Sequence, residues 1–186
     1  MAGTTKGLYF ISAFDCFAQS VGRDKVKALC DQLSIPARFA KREEISMATL
    51  NVLIEEGIKL FWPNSTLEQG MFRQGEAAFP KFADTLIGKT ALSLFSSHIK
   101  RLAARAPVYY STENKYGTVE FVDTNEKSFR LEFRKYESYP HYHFGLISYV
   151  AQRIEPKAKI DLSVHNFVNH GKGDILTDFD VIANLP

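Results

Sequence analysis

Cysteine is nearly missing from this chain: Cys16 and Cys30 are its only two. Both fall in apolar helical pattern, where Cys acts as a small hydrophobe. The segment "MAGTTKG" at the start has no charged region followed by a long apolar run, so it does not read as a secretory leader. Together these features lead to the expectation of a reduced, cytoplasmic protein. No apolar stretch approaches the ~20 residues that a membrane helix needs, which argues against membrane insertion. A dense basic block is absent too. Lys and Arg total 23 against 21 Asp and Glu, a formal net charge of +2. Phosphate binding needs clustered cations, so nucleic acid is not the expected partner. "KREE" at 41–44 is mixed in sign and reads as a solvated connector.

A recognisable catalytic arrangement is also lacking. "HGKGD" (170–174) has two glycines but not the eight-residue phosphate-loop pattern, and it lies between two strand-like runs, so it reads as a hairpin turn. Triads converge in space and not in chain order, so none can be assigned from the sequence. The paired acids Glu43-Glu44, Glu55-Glu56 and Asp178/Asp180 read as solvated faces. The chain is therefore expected not to be an enzyme, and no cofactor is expected.

What is present is a large apolar and aromatic content. Hydrophobic residues make up 45% of the 186, with 15 Phe and 8 Tyr. That suits one domain with one packed core. The first part, about 1–106, is helical in pattern. Residues 22–35 place Val26, Leu29, Cys30 and Leu33 on one face. Residues 46–62 start at a candidate Ser46 cap and carry Leu50, Leu53, Ile54, Gly57 and Phe61 as a stripe. From Thr66 to Ala104 the pattern is helical almost throughout, with a kink or break expected at Pro80. Leu92, Phe95, Ile99 and Leu102 share a face of its last segment, and Pro107 is its expected stop. Gly70, Gly75 and Gly88 are unusually many glycines for a helical tract, and Gly57, Gly75 and Gly88 suggest close helix approach.

The second part, about 107–186, changes period. "STENKYGT" (111–118) reads as a polar loop. Phe129, Leu131 and Phe133 alternate with Arg130, Glu132 and Arg134, and Ile160, Leu162 and Val164 alternate with Asp161, Ser163 and His165. These are half-buried strands with the apolar residues inward. A helix over 143–154 separates the two strand pairs. The expected fold is α+β: a helical layer on a four-stranded antiparallel sheet in the order strand-strand-helix-strand-strand.

The tract "GEAAFPKFADTLIGK" (75–89), followed in order by "YYSTENKYGTVEF", "YPHYHFGLI" and a terminal hairpin, resembles the signature of a large myxobacterial paralogous family of unknown function. "LFWPNS" (60–65) is similar to that family's way of ending a helix. More distantly, helices followed by ββαββ resemble the fold group of haem–nitric-oxide-binding (H-NOX) domains, vinyl-reductase-like ligand-binding domains and small vesicle-tether subunits. That resemblance implies haem, a lipid chain or a small apolar ligand held between the layers, or a role in assembly. An implied pocket would be lined by Phe79, Phe82, Phe95, His98, Tyr110, Tyr116 and Tyr149.

Three readings follow. The leading one is a non-enzymatic, cytosolic sensory or regulatory module for a small apolar ligand or a protein partner. The second is a scaffold subunit or homodimer built on the Gly-bearing helix faces. The third is a haem- or metal-dependent sensor using His98, His141 and His143. His141 and His143 are two apart, and on a helix they would diverge by about 200°, so they read as the start of a helix packed on the sheet. An H-NOX domain grips haem propionates with a Tyr-x-Ser-x-Arg motif. Here the fifth residue counted from Tyr109 is Glu113, an anion that would repel them.

Overall fold

The computed structural model describes residues 3–85, 88–89 and 98–186. A short antiparallel ribbon, β1 (Thr4–Lys6) with β2 (Glu44–Ser46), leads into α1 (Gly7–Val21) and α3 (Met47–Phe61), with α2 (Arg23–Gln32) between. Next comes α4 (Leu67–Ala83), then the short α5 (Ile99–Ala103) and α6 (Ala106–Glu113). The sheet follows as β3 (Thr118–Asn125), β4 (Ser128–Tyr136), α7 (Pro140–Ile154), β5 (Lys159–Gly171) and β6 (Asp174–Asn184). Its spatial order is β3-β4-β6-β5, antiparallel throughout. This is the α+β arrangement that the change of period in the sequence indicates.

Local chemistry sets the helix starts. Thr66 and Gln69 close a reciprocal capping box: the Gln69 amide donates to Thr66 Oγ1 and the Thr66 amide to Gln69 Oε1. Tyr139 is extended, as a residue before proline should be, and Pro140 sits in the first turn of α7. Pro107 does the same for α6. Its role is thus to begin a helix, and Ser111–Glu113 are helical where the sequence suggested a loop. Pro80 lies inside α4, which ends at Ala83. The proposed single face of Leu92, Phe95, Ile99 and Leu102 is not one helix: His98 is extended and α5 starts only at Ile99, while Leu92 and Phe95 lie outside the described residues.

The inner face of the sheet is Phe129, Leu131 and Phe133 from β4 with Phe179, Val181 and Ala183 from β6, all buried. Ile147 and Ala151 of α7 pack on them in one core. A second core joins α1 to α4 through Phe10, Phe14, Phe17, Leu53, Ile54 and their neighbours. Edge strand β5 is covered less. Ile160 and Leu162 are half-buried, and Val164 is exposed just before a register shift, so the expected inward position of Val164 is corrected. A bulge in β4 matters more for the interior. Lys135 takes a φ of 51° between the paired residues Phe133 and Tyr136. The extra residue turns the Tyr136 side chain inward, where it is buried.

Helices α4 and α7 touch through their backbones. A Cβ on Gly75 would overlap the Tyr142 carbonyl oxygen, and one on Gly145 would overlap the Phe72 carbonyl oxygen. The close approach expected at Gly75 is therefore within the chain. A Cβ on Gly88 would meet the Phe82 carbonyl, also within the chain.

Candidate functional site

The two cores do not meet flush. Between them lies a partly open, mainly apolar cavity of about 110 Å³. Phe79 and Phe82 of α4, Ile99 and Leu102 of α5, and Phe129 and Leu131 of β4 form apolar walls, with Ile147 and Val150 of α7. The polar end is built from Thr5, Tyr9, Tyr110, Asn114, Tyr116, Tyr142 and His143. Lys, Arg, Asp and Glu are absent from the lining among the described residues.

Hydrogen bonds fix the polar end. Thr5 Oγ1 donates to Asn114 Oδ1 at 2.6 Å, and Asn114 Nδ2 donates to Tyr136 Oη at 3.5 Å, so the β4 bulge anchors the ribbon at β1. Tyr110 Oη and His143 Nδ1 are 3.3 Å apart. The His143 ring lies among Phe133, Tyr136, Phe179 and Tyr110, with centroids 4.9–5.9 Å away. In that apolar setting the charged imidazolium is disfavoured, and burial pushes the pKa down to about 3. Burial raises the pKa of Tyr9, Tyr110, Tyr116 and Tyr142, and the hydroxyls of Tyr9, Tyr116 and Tyr142 are raised further by neighbouring tyrosines. Among the described residues, the fully buried atoms His143 Nε2 and Tyr142 Oη have no hydrogen-bond partner.

The structure gathers Phe79, Phe82, Tyr110 and Tyr116 at this cavity and leaves out other residues chosen from sequence. Tyr149 packs against Phe79 at 5.7 Å with the Arg153 guanidinium over its ring, and it does not line the cavity. His98 is exposed at the start of α5, in a surface depression beside Lys100, Asp123 and Glu126. Phe95 lies outside the described residues. His141 and His143 diverge as helix geometry requires. The first is half-buried near Glu68 and its pKa is lowered by burial, while the second faces the interior. Among the described residues, groups of three or more His, Cys, Asp or Glu able to hold a metal ion are absent. Likewise, none of the described helices is long and apolar enough to cross a membrane.

Sequence reasoning passed over Thr5, Tyr9, Asn114 and Tyr142 as site residues. Tyr9 and Tyr142 look like ordinary members of apolar runs. Asn114 sits in the polar "STENKYGT" tract, whose hydrogen-bonding capacity was the available signal.

Residues 2–168 match the profile of a family described as protein of unknown function (DUF2378), and the chain belongs to that family. No curated protein sequence matches it. Solved structures with the same fold include H-NOX proteins. An H-NOX protein from S. oneidensis in the Fe(II)NO ligation state is 14% identical with a TM-score of 0.73, over 97% of this chain and 99% of that one. A mutant, unliganded Fe(II) H-NOX protein from K. algicida is 13% identical with a TM-score of 0.73, over 97% and 96%. An oxygen-binding H-NOX domain related to soluble guanylate cyclases is 11% identical with a TM-score of 0.64, over 97% and 94%. At these identities the likeness is one of fold.

Proposed function

We propose that this member of the DUF2378 family is a non-enzymatic sensory or regulatory module that holds a small apolar ligand between its helical layer and its sheet. One observation carries the reading: a cavity of about 110 Å³, apolar on most sides, at the junction of two otherwise packed cores. Protein interiors rarely keep such space, because unfilled volume forfeits packing. An engineered cavity of about 150 Å³ binds benzene, so the room here suits a single ring or a short chain. The described lining holds no carboxylate, serine, cysteine or lysine, and its one imidazole is buried and uncharged. That supports binding over catalysis.

Haem, with the iron named for the fold neighbours, does not fit this lining. The space suits one ring and not four, and the described walls offer no cation for two propionates. The Tyr-x-Ser spacing recurs at Tyr136 and Ser138, before α7, and there Pro140 takes the place of an arginine. His98 lies outside the cavity.

The test is native mass spectrometry of freshly purified protein, read with a benzene titration of the same sample. A small adduct released on activation, or saturable benzene binding, is the expected result. A bare mass together with no benzene binding would overturn the reading. The same spectra report subunit number, which bears on the assembly alternative. Gly75 is already occupied by α7 within the chain, so a homodimer would need another face.

A further inference from the structure

We infer that the cavity takes the apolar end of a small, single-headed amphiphile, a short chain or ring with one polar group, and that this head stays at a mouth formed by Phe82, Leu102, Tyr109 and Val150. The inference rests on the ligand-binding function proposed above. The cavity is partly open, and its accessible surface is almost all apolar. The polar side chains of its lining are turned to one another. Thr5 bonds Asn114, Asn114 bonds Tyr136, and Tyr110 bonds His143 Nδ1. Tyr116 packs on the Tyr136 ring at 4.6 Å and shares a hydrogen bond with its hydroxyl. Tyr142 Oη and His143 Nε2 are fully buried and do not open onto the space. The Tyr9 pKa is raised first by burial and then by the Glu113 carboxylate, which is not in the lining, so this hydroxyl lies toward Glu113. The interior thus offers a polar group nothing in place of water, and burying one there unpaired is costly.

Exposure locates the mouth. Phe82, Leu102, Tyr109 and Val150 line the cavity and are half-buried, one from each of α4, α5, α6 and α7. The rings of Phe82 and Tyr109 lie 6.2 Å apart. Tyr9, Tyr110 and Tyr116 also keep some exposed surface, but burial raises their hydroxyls far above the ordinary value. Tyr109 is raised by less, and the exposed Arg105 offsets part of that rise. Those three tyrosines therefore mark the deep end, and Tyr109 the outer one. Leu146, also half-buried, packs on both cores. At the mouth, water completes the hydrogen bonds of a head group, charged or neutral, while Phe79, Leu131 and Ile147 receive the apolar end.

Isothermal titration of the full chain at neutral pH with hexanol, hexanoate and a hexanediol bearing a hydroxyl at each end tests this. Hexanol and hexanoate are expected to bind within about tenfold of each other, because either head stays in water. The diol is expected to bind about tenfold or more weakly than hexanol, because its second hydroxyl has to enter. Tyr9→Phe is expected to leave hexanol binding unchanged. Leu102→Lys sets a cation at the mouth on a stem that reaches solvent. It is expected to strengthen hexanoate binding about fivefold at low salt and to leave hexanol unchanged. Val150→Lys should do the same from another helix, and retained hexanol binding is the folding control for both. Hexanol binding without hexanoate binding, a diol as tight as hexanol, a loss in Tyr9→Phe, or no gain for hexanoate in a lysine variant that still binds hexanol would each overturn the inference. If neither lysine variant binds hexanol, the wild-type comparisons decide. Benzene binding that persists would leave the cavity function standing, and failure of benzene and all three probes would remove both.

Discussion

His143 enters the folded state without a charge, and that has a consequence for stability. Its folded pKa lies near 3, against an ordinary value of about 6.5 for an unfolded histidine. The unfolded chain therefore binds a proton that the folded chain refuses. The stabilisation is complete above about pH 6.5 and is lost progressively as pH falls toward the folded value. His141 is also lowered by burial and acts with the same sign in the same window. Asp180 acts lower still. Burial alone would raise it, but hydrogen bonds from His165 and Arg134 hold it down, so its contribution fades below the ordinary carboxylate value of about 3.9. Urea midpoints measured between about pH 6.5 and 4.5 should fall in the wild type. They should fall less in His143→Gln, with His141→Gln separating the smaller share. Parallel slopes in all three proteins would mean that His143 is not a buried neutral base. The tract "YPHYHFGLISYV" announced a helix start packed on the sheet, and i, i+2 spacing announced that its histidines would part. Nothing in it told which of the two would face inward, because that depends on the Gly75–Gly145 crossing far away in sequence.

Elements with strong periodicity were legible. Phe129, Leu131 and Phe133 are buried as their alternation implies, because β4 is central and has α7 over one face. The same rule applied to Val164 failed, since β5 is an edge strand whose end runs past its cover. Pro107 was ambiguous in principle: a proline that ends one helix can begin the next. The cavity was not legible, because its walls come from ribbon, six helices and sheet at once. The α4–α7 contact was half legible, as surplus glycine. It makes a prediction at this scale. Alanine is the better helix former by roughly 1 kcal/mol, so Gly75→Ala would stabilise a free-standing α4. Here the new Cβ meets the backbone of α7, which cannot rotate aside as a side chain can. Overpacking costs about 1–3 kcal/mol, and the net effect on denaturant midpoint is expected to be a loss. A gain in Gly75→Ala would show that the two backbones are not in contact.

For the whole molecule, the fold shared with H-NOX domains raises the question of haem most directly. A helical layer over an antiparallel sheet leaves a seam between two cores, and what fills the seam is set by side chains and not by topology. In this chain the seam is narrowed by aromatic rings from both layers, down to a volume of about 110 Å³. Haem would have to displace several of them and place two propionates against walls that supply tyrosines and no described cation. The interior imidazole is already bonded to Tyr110 and wedged among rings, while the exposed His98 would hold iron outside the cavity. Titration of the purified protein with haem is therefore expected to give no saturable, one-to-one Soret shift that depends on either histidine. Weak, unsaturable binding that persists in His98→Ala and His143→Gln would be surface adsorption and agrees with this. A stoichiometric shift abolished by either substitution would mean that the seam opens to a tetrapyrrole, and that the rings now lining it are a closed state of a haem pocket.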